Sequence, residues 1–242
     1  MTHNRHIYLQ MKSVKEARRL FFSRVPWDQP VGEETLPVSA AVGRITAQPV
    51  FARFSAPTFH AAAMDGIAVT ADRTFGTTID KPKRLEVGKE AFFVNTGQPM
   101  PEGTNAVIMI EQVQVEGEDG VIIESAAYPW QYVRKVGEDI VATELILPQS
   151  HCIRPYDVGA LLNGGIFTVP VKTRPKVVVI PTGSELVSPA ALGGQAPSPG
   201  QVVESNSAVL GALIDASGGD HLDHPIVPDD YEGILNAVKT AV

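Results

Sequence analysis

Residues 174–187 read RPKVVVIPTGSELV, and this stretch decides the fold class. Residues 177–180 form a fully apolar, β-branched run, which is typical of a strand buried on both faces of a parallel sheet. The turn PTGSEL follows at the carboxyl end of that strand, where α/β proteins place their ligand crevices. The stretch therefore predicts an α/β domain, and it makes Glu185 in the turn a candidate site residue.

The sequence after this strand predicts a helix, a second strand and a second helix. Ser205 or Asn206 caps an apolar helical pattern that ends at Gly218–Gly219, and residues 225–227 predict the strand. Asp229 and Asp230 then either act as N-caps of the last helix or reach the same end of the sheet as the PTGSEL turn. Two parallel strands do not form an independent sheet, so we expect these 242 residues to end inside an incomplete α/β domain.

Upstream of residue 174 the sequence predicts a small β domain inserted into another domain. Residues 52–140 contain short apolar runs separated by turns such as EGEDG at 116–120. The flanking residues 1–51 and 141–174 then form one segmented domain of helices and strands. Residues 175–242 form the first part of the α/β domain, which completes a multidomain α/β and β fold class.

Two helices are predicted in the first segment. Ser13 and Glu16 form a capping box, after which apolar residues recur at helical spacing until Pro26 stops the run. The apolar residues are Val14, Ala17, Phe21 and Val25. Ser39 is expected to cap a small helix over residues 40–47.

Composition excludes several classes of protein. Apolar residues make up 44% of the chain and charged residues 19%, values typical of a globular protein. The net charge of −7 argues against a nucleic-acid partner, and we expect no membrane partner because no apolar run is long enough to span a bilayer. The single cysteine, Cys152, and the absence of a signal-peptide pattern favour a cytoplasmic location.

Three short stretches carry the remaining candidate residues, each with an ordinary structural alternative. PTFHAAAMDGIAV at 57–69 presents Asp65 beside a glycine, although Asp-Gly is also common in turns. Thr96 lies in the Thr-Gly turn that ends a predicted strand. YVRKVGEDI at 132–140 brings Arg134 and Asp139 close together, where an exposed salt bridge is the alternative.

A zinc site is the weakest of the possible interpretations. His221, Asp223 and His224 lie close in sequence, but they lack further ligands at recognisable spacing, so a surface loop is favoured. The sequence also contains no P-loop, GxGxxG, GxSxG or HExxH motif, which leaves the mechanisms based on those motifs without support.

Taken in order, six stretches resemble the molybdopterin molybdenumtransferase family, which includes the MoeA proteins and the E domain of gephyrin. The stretches are PTFHAAAMDGIAV, NTGQPMPEGTNAV, VRKVGEDI, RPKVVVIPTGSELV, GQVVESNSAVLGALIDASGG and VPDD. The resemblance runs from the first helix to Asp230. It implies a homodimer paired through the segmented domain, an inserted β domain and an α/β domain that binds molybdopterin.

The resemblance also implies a reaction in molybdenum cofactor biosynthesis. Members of the family insert molybdenum from molybdate into adenylylated molybdopterin with release of AMP, assisted by Mg²⁺. Molybdopterin adenylyltransferase is then a possible partner. Since the chain is expected to end inside the third domain, we expect these 242 residues to be inactive by themselves.

Site residues are implied position by position. The resemblance suggests as catalytic residues Asp65, Thr96, Asp139 and Glu185. It suggests as substrate-binding residues Arg134, Thr182 and Gly183. It suggests as metal ligands Glu185, Asp229 and Asp230. Carboxylate oxygens are ligands that suit Mg²⁺, so this donor set agrees with the implied metal.

Two alternatives stay open at this point. Ser184 stands where the family usually has an aspartate, which favours a non-catalytic oligomerisation or cofactor-carrying scaffold module. Retention of Asp65, Asp139 and Glu185 favours the enzyme. A tungsten-inserting variant is the second alternative, because tungstate and molybdate are alike in size and charge.

Overall fold

The structure, a computed structural model, describes residues 11–25 and 31–241, which form two compact units. One unit comprises residues 33–172, and the other combines the residues up to 32 with residues 173–242. The strands are β1 Glu33–Pro37, β2 Val50–Phe51, β3 Ala61–Ala62, β4 Gly66–Val69, β5 Lys83–Glu86, β6 Ala91–Val94, β7 Ala106–Met109, β8 Val113–Glu116, β9 Gly120–Ile123, β10 Val133–Arg134, β11 Leu145–Leu147, β12 Thr168–Lys172, β13 Lys176–Val179, β14 Leu186–Val187, β15 Val202–Val203 and β16 Asp220–Asp223. The helices are α1 Val14–Phe22, α2 Pro155–Asn163, α3 Pro189–Leu192, α4 Asn206–Ala216 and α5 Tyr231–Ala241.

Two antiparallel sheets make the centre of the unit at 33–172. One has the strand order β6-β4-β7 and the other β5-β9-β8. They share one core, whose largest members are Ile67, Val69, Leu85, Ile108, Val121 and Ile123. The short apolar runs at residues 67–69, 91–94, 106–110 and 121–123 predict β4, β6, β7 and β9, and these strands are confirmed.

Strand β4 is buried on both of its faces. Because side chains alternate along a strand, Ile67 and Val69 enter the core shared by the two sheets, whereas Ala68 packs on the opposite face with Ala62 and Val133. The small side chain of Ala68 leaves room for strands β3 and β10 on that face. The start of β4 is therefore fixed from two directions.

The segments on either side of residues 52–140 pair with each other. Strand β1 lies antiparallel to β12, and β2 lies antiparallel to β11. Helix α2 completes this part, which has its own core of Val38, Ala41, Val50, Leu147, Ile153, Leu161, Ile166, Val169 and Val171. The division into three domains with the boundaries given above stays a prediction.

The helix predicted over residues 40–47 is wrong. A single 3₁₀ turn at Val38–Ala40 precedes Gly43, which has a φ of 78°. Ile45 and Thr46 then form isolated bridges to Cys152 and Val171. Tertiary pairing therefore replaces the helical propensity of the alanines.

Helix α2 begins at a buried charged cluster. Pro155 occupies the first turn, and the carboxylate of Asp157 accepts hydrogen bonds from Arg154 N at 2.8 Å, Arg154 Nη2 at 2.9 Å and the His151 ring at 2.7 Å. The Asp157 side chain is 7% exposed. Hydrogen bonds from Arg154 and His151 hold the pKa of Asp157 well below its usual range.

We expect Asp157→Asn to lower the free energy of unfolding by about 2–4 kcal/mol at pH 7, because it leaves buried donors without a charged acceptor. The folded-state pKa lies below the ordinary value, so this stabilisation is complete above about pH 4 and declines at lower pH. Urea unfolding at pH 7 and pH 3 measures it. Asp119→Asn, in an exposed pair with Arg84, is the control; an equal effect of both variants contradicts the prediction.

The second unit contains a parallel strand pair joined by a helix. Strand β13 pairs in parallel with β16, and α4 connects them and packs on both. Strand β13 and helix α4 confirm the predictions for residues 177–180 and for the helix after Ser205. The side chain that caps the N-terminus of α4 is Glu204, whose Oε1 accepts a hydrogen bond from Ser207 N at 2.9 Å. The predicted caps were Ser205 or Asn206, and Ser205 makes no such side-chain bond.

Two strand predictions in this unit are wrong. The second strand is β16 at 220–223, and Val227, which was predicted to lie in it, forms only an isolated bridge to Thr182. Strand β13 is not buried on both faces, because Val177 is 40% exposed. The strand pairs with β16 alone among the described residues, so only Val179 is enclosed.

Helix α1 confirms the predicted start at Ser13. Ser13 Oγ accepts a hydrogen bond from Glu16 N at 3.2 Å, as in the first half of a capping box. Pro26, the predicted stop, lies outside the described residues. No residue of α1 is buried, and Val14 and Phe21 are exposed.

Within residues 11–25 and 31–241, none of the helices has the length and apolar character needed to cross a membrane.

Candidate functional site

Asp65 and Thr96 are brought together by neighbouring strands. Asp65 immediately precedes β4 and Thr96 follows β6, and these strands are antiparallel, with Gly66 opposite Val94. Asp65 Oδ1 accepts hydrogen bonds from Thr96 N at 2.7 Å and from Thr96 Oγ1 at 3.0 Å. These two bonds lower the pKa of Asp65, which keeps its exposed carboxylate ionised at neutral pH.

Arg134 and Asp139 form a second pair at the end of β10. Arg134 Nη2 donates to the Asp139 carboxylate at 2.5 Å, and Arg134 Nε lies 3.7 Å from Glu138 Oε1. The hydrogen bond to Asp139 and its charge raise the pKa of Arg134. These two contacts use Nη2 and Nε, so the Nη1 donors of Arg134 lie outside both pairs.

The short strand β3 connects the two pairs. One side of Ala62 exchanges backbone hydrogen bonds with the turn after Thr96, through Gly97 N at 2.8 Å and Gln98 O at 2.9 Å. On the other side, β3 pairs with β10, with Arg134 opposite Ala61. The alanines of PTFHAAAMDG, which have small side chains, therefore allow three backbone segments to meet beside Asp65.

A separate set of candidates lies in the turn after β13. Gly183 N donates to Val227 O at 3.0 Å, so this backbone N–H is not free to bind a ligand. The Glu185 carboxylate lies directly over Gly183, where a Cβ atom would come within 2.9 Å of both of its oxygens. Gly183 has a φ of 155°. A glycine is therefore required for Glu185 to adopt this position, while Thr182 and Glu185 are exposed.

The same turn is joined to Asp229. Ser184 Oγ accepts a hydrogen bond from Asp229 N at 3.2 Å. Asp230 Oδ1 accepts from Gly233 N at 2.7 Å and caps helix α5, as the N-cap alternative predicted. The structure thus brings Asp229 to the turn that carries Glu185, and it commits one oxygen of Asp230 to the helix.

The donor set at this turn can be compared with the needs of Mg²⁺. Glu185 and Asp229 supply hard carboxylate oxygens, and Mg²⁺ is commonly held by one or two carboxylates together with waters and phosphate oxygens. Among residues 11–25 and 31–241, no group of three His, Cys, Asp or Glu side chains is placed to hold a metal ion. Glu185 and Asp229 therefore match Mg²⁺ in ligand type, and the bond from Asp229 N to Ser184 Oγ places the Asp229 backbone beside the turn that carries Glu185.

Two pairings in this unit were missed from the sequence. Ser184 was treated as a missing charge, but its hydroxyl fixes the backbone of Asp229. His221 Nδ1 lies 2.8 Å from Asp215 Oδ1, across the glycine turn between α4 and β16.

Comparisons with known proteins identify the family of the chain. A family model for the MoeA N-terminal region, domains I and II, matches residues 12–165. Molybdopterin molybdenumtransferase 2 of Mycobacterium tuberculosis is 34% identical over 223 residues, covering 86% of this chain and 53% of that protein. Molybdopterin molybdenumtransferase of Nostoc sp. is 29% identical over 253 residues, covering 98% of this chain and 57% of that protein.

Solved structures extend the match to the fold. The crystal structure of the molybdopterin biosynthesis MoeA protein from Pyrococcus horikoshii is 34% identical, with a TM-score of 0.80, over 94% of this chain and 62% of that one. This likeness confirms the predicted multidomain α/β and β fold class. The chain spans about half the length of the curated relatives it matches. With its family model covering residues 12–165, the chain belongs to the MoeA N-terminal family.

Proposed function

We propose that the protein acts in molybdenum cofactor biosynthesis in the cytoplasm. The reaction is insertion of molybdenum from molybdate into adenylylated molybdopterin, with release of AMP and assistance from Mg²⁺. The observation that carries the proposal is the family match together with the Asp65–Thr96 pair beside β4. Relatives that share this chain's sequence over most of its length are named as molybdopterin molybdenumtransferases.

The β unit supplies the carboxylate of Asp65 and the guanidinium of Arg134 to the proposed site. Asp65 stays ionised and accepts a hydrogen bond from the Thr96 hydroxyl, which leaves the Thr96 oxygen lone pairs as acceptors for a substrate N–H or O–H. Arg134 offers the Nη1 donors of its guanidinium to a phosphate or molybdate oxygen, while Nη2 stays bonded to Asp139. Asp139 thereby keeps Arg134 oriented before substrate binds.

The residues of the turn after β13 supply the metal ligands. Glu185 and Asp229 would hold Mg²⁺, and Asp230 contributes through its second carboxylate oxygen only if the helix cap is retained. When bound, Mg²⁺ polarises a phosphoanhydride and orients water for its hydrolysis. The exposed Thr182 side chain lies next to this turn and is available to a phosphate oxygen.

The test is AMP release by the complete gene product. Adenylylated molybdopterin, molybdate and Mg²⁺ are supplied, and AMP is measured by chromatography together with molybdenum bound to the pterin. We expect AMP to appear in step with molybdenum insertion. Absence of both products with correctly folded protein would contradict the proposal, and AMP release by residues 1–242 alone would contradict our expectation that they are inactive.

The scaffold alternative is kept because of Ser184. Where the family usually has a charged aspartate, this chain has a hydroxyl that is already occupied by Asp229 N. A non-catalytic module is expected to bind adenylylated molybdopterin without AMP release. The same assay with tungstate tests the second alternative, since a tungsten-inserting variant releases AMP faster with tungstate than with molybdate.

We propose a homodimer as the working form, with molybdopterin adenylyltransferase as a further partner that supplies the substrate. The exposed apolar side chains of α1, Val14 and Phe21, support pairing through this segment. Light scattering at micromolar concentration should give twice the 25.9 kDa chain mass. A single species of monomer mass counts against the homodimer.

A further inference from the structure

A single turn, residues 135–138, separates Arg134 from Asp139. Lys135 N donates to Glu138 Oε2 at 2.9 Å, and Glu138 N donates to Lys135 O at 3.1 Å, so the turn is closed by its own residues. The turn sets how far apart the backbones of Arg134 and Asp139 lie. The hydrogen bond between these two side chains therefore depends on the shape of the turn.

Two further hydrogen bonds tie the turn to the segment before β3. Gly137 N donates to Pro57 O at 3.1 Å, and Val136 N donates to Nδ1 of His60 at 3.1 Å. Among the described residues, His60 is the only side chain outside the turn that accepts a hydrogen bond from one of its backbone N–H groups. The position of the His60 ring therefore bears directly on the turn that follows Arg134.

The hydrogen bond from Val136 also fixes the tautomer of His60. A backbone N–H can only donate, so Nδ1 of His60 has to be the unprotonated, accepting nitrogen of a neutral ring. The proton of that ring is then on Nε2, which has no hydrogen-bond partner in the described part of the chain. The bond from Val136 N is thus the polar contact that orients the ring.

The Trp130 side chain holds the His60 ring by direct contact. The two ring centroids lie 4.9 Å apart, with 57° between the ring planes. Trp130 has a φ of 67°, which is uncommon for a bulky residue and persists only where the surrounding structure holds it; here its N donates to Asn105 O at 2.7 Å. The Lys135 ammonium lies 5.1 Å from the centroid of the same ring, so Trp130 contacts both His60 and the turn.

We propose that His60 is a positioning residue for Arg134: its neutral ring, packed on Trp130 and accepting from Val136 N, holds the turn in the shape that presents Arg134 to substrate. The inference rests on the proposed function, because it takes Arg134 to bind a substrate oxygen. Arg134 lies opposite Ala61 in the β3–β10 pair, and no hydrogen bond joins it to His60 among the described residues. His60 therefore acts through the turn.

The experiment measures hydrogen–deuterium exchange of residues 133–139 in the complete gene product by mass spectrometry. His60→Leu removes the acceptor, and we expect exchange of this segment to become about 5–10-fold faster. His60→Asn is the rescue variant, because its Oδ1 is bonded to Cγ, as Nδ1 is, and can accept from Val136 N. His60→Gln carries its oxygen one carbon further out, so it should exchange as fast as His60→Leu.

Steady-state kinetics of AMP release separate positioning from a general structural role. Arg134→Ala first identifies which KM depends on Arg134, that of adenylylated molybdopterin or that of molybdate. We expect His60→Leu and His60→Gln to raise the same KM by about 5-fold with little change in kcat, as for lost substrate binding. His60→Asn should keep the wild-type KM.

The matched control for exchange is His224→Leu, the same substitution in the other unit, which should leave residues 133–139 unchanged. Wild-type exchange in His60→Leu, or exchange in His60→Asn as fast as in His60→Leu, overturns the inference. Faster exchange with both KM values unaltered overturns it as well, because the turn then does not position Arg134. Faster exchange that His60→Asn rescues, in a gene product that releases no AMP, overturns the proposed function instead.

Discussion

Replacing Gly66 with alanine is expected to prevent the β unit from folding stably. A Cβ on Gly66 would lie 1.9 Å from Ile108 O and 3.0 Å from Ile110 N, which are backbone atoms of the neighbouring chain segment. Strand β4 must then move away from β7, which opens the core around Ile67. We expect a loss of more than about 4 kcal/mol in unfolding free energy, the range reserved for disrupted cores. Urea unfolding followed by circular dichroism measures it.

Gly159→Ala is the matched control for this change. Gly159 lies in helix α2 with nothing within 4 Å of its added Cβ, so alanine should be neutral or stabilising by up to about 1 kcal/mol. The two variants make the same covalent change in different surroundings. Asp65 O accepts a hydrogen bond from Ile110 N, so the same close approach of β4 and β7 is expected to hold Asp65 in place. If Gly66→Ala unfolds at the same urea concentration as the wild type, this prediction is wrong.

Glu185→Gln should lower the rate of AMP release by about 10–100-fold or more while leaving the fold intact. The change keeps the shape of the side chain over Gly183 and removes the charge proposed to hold Mg²⁺ beside Asp229. We therefore also expect a higher Mg²⁺ concentration for half-maximal rate. Initial rates against Mg²⁺ concentration, measured beside a melting curve, give both quantities.

The control for Glu185→Gln is Glu118→Gln. Glu118 lies in the exposed turn between β8 and β9, in the other unit, and its loss of charge should leave the rate unchanged. A structural role for Glu185 gives the opposite pattern, with a lowered melting temperature and unchanged Mg²⁺ dependence. In that case Asp65 and Asp139 remain as the carboxylates able to support the reaction.

The strands that could be predicted are those in which buried apolar residues dominate the sequence. Residues 67–69 and 121–123 are continuous apolar runs in central strands, each with a neighbouring strand on both sides, and both were identified. Strands β5 and β8 were missed because Lys83–Glu86 and Val113–Glu116 carry charged and polar side chains on the two edge strands beside β9. Strand β16, Asp220–Asp223, was missed for the same reason.

The site was predictable to the extent that it depends on local sequence. Position alone placed Glu185 at the end of a strand, and spacing alone placed Arg134 near Asp139. The Asp65–Thr96 bond joins residues 31 apart and depends on strand register, which no local pattern contains. Likewise, the Ser184–Asp229 bond spans 45 residues and requires the whole β13-α4-β16 crossover.

The pairing of β1 with β12 has a consequence for the order in which the chain assembles. Glu33 lies opposite Lys172, so closing this contact from a disordered chain costs the entropy of a very long loop. Ala56 N donates to Ile140 O at 2.8 Å, so the two ends of the inner β sheets lie side by side. Once these sheets have folded, most of the loop between Glu33 and Lys172 is therefore already closed. Early formation of the inner sheets therefore makes the outer pairing a short-range, fast step, and slow inner folding would delay both.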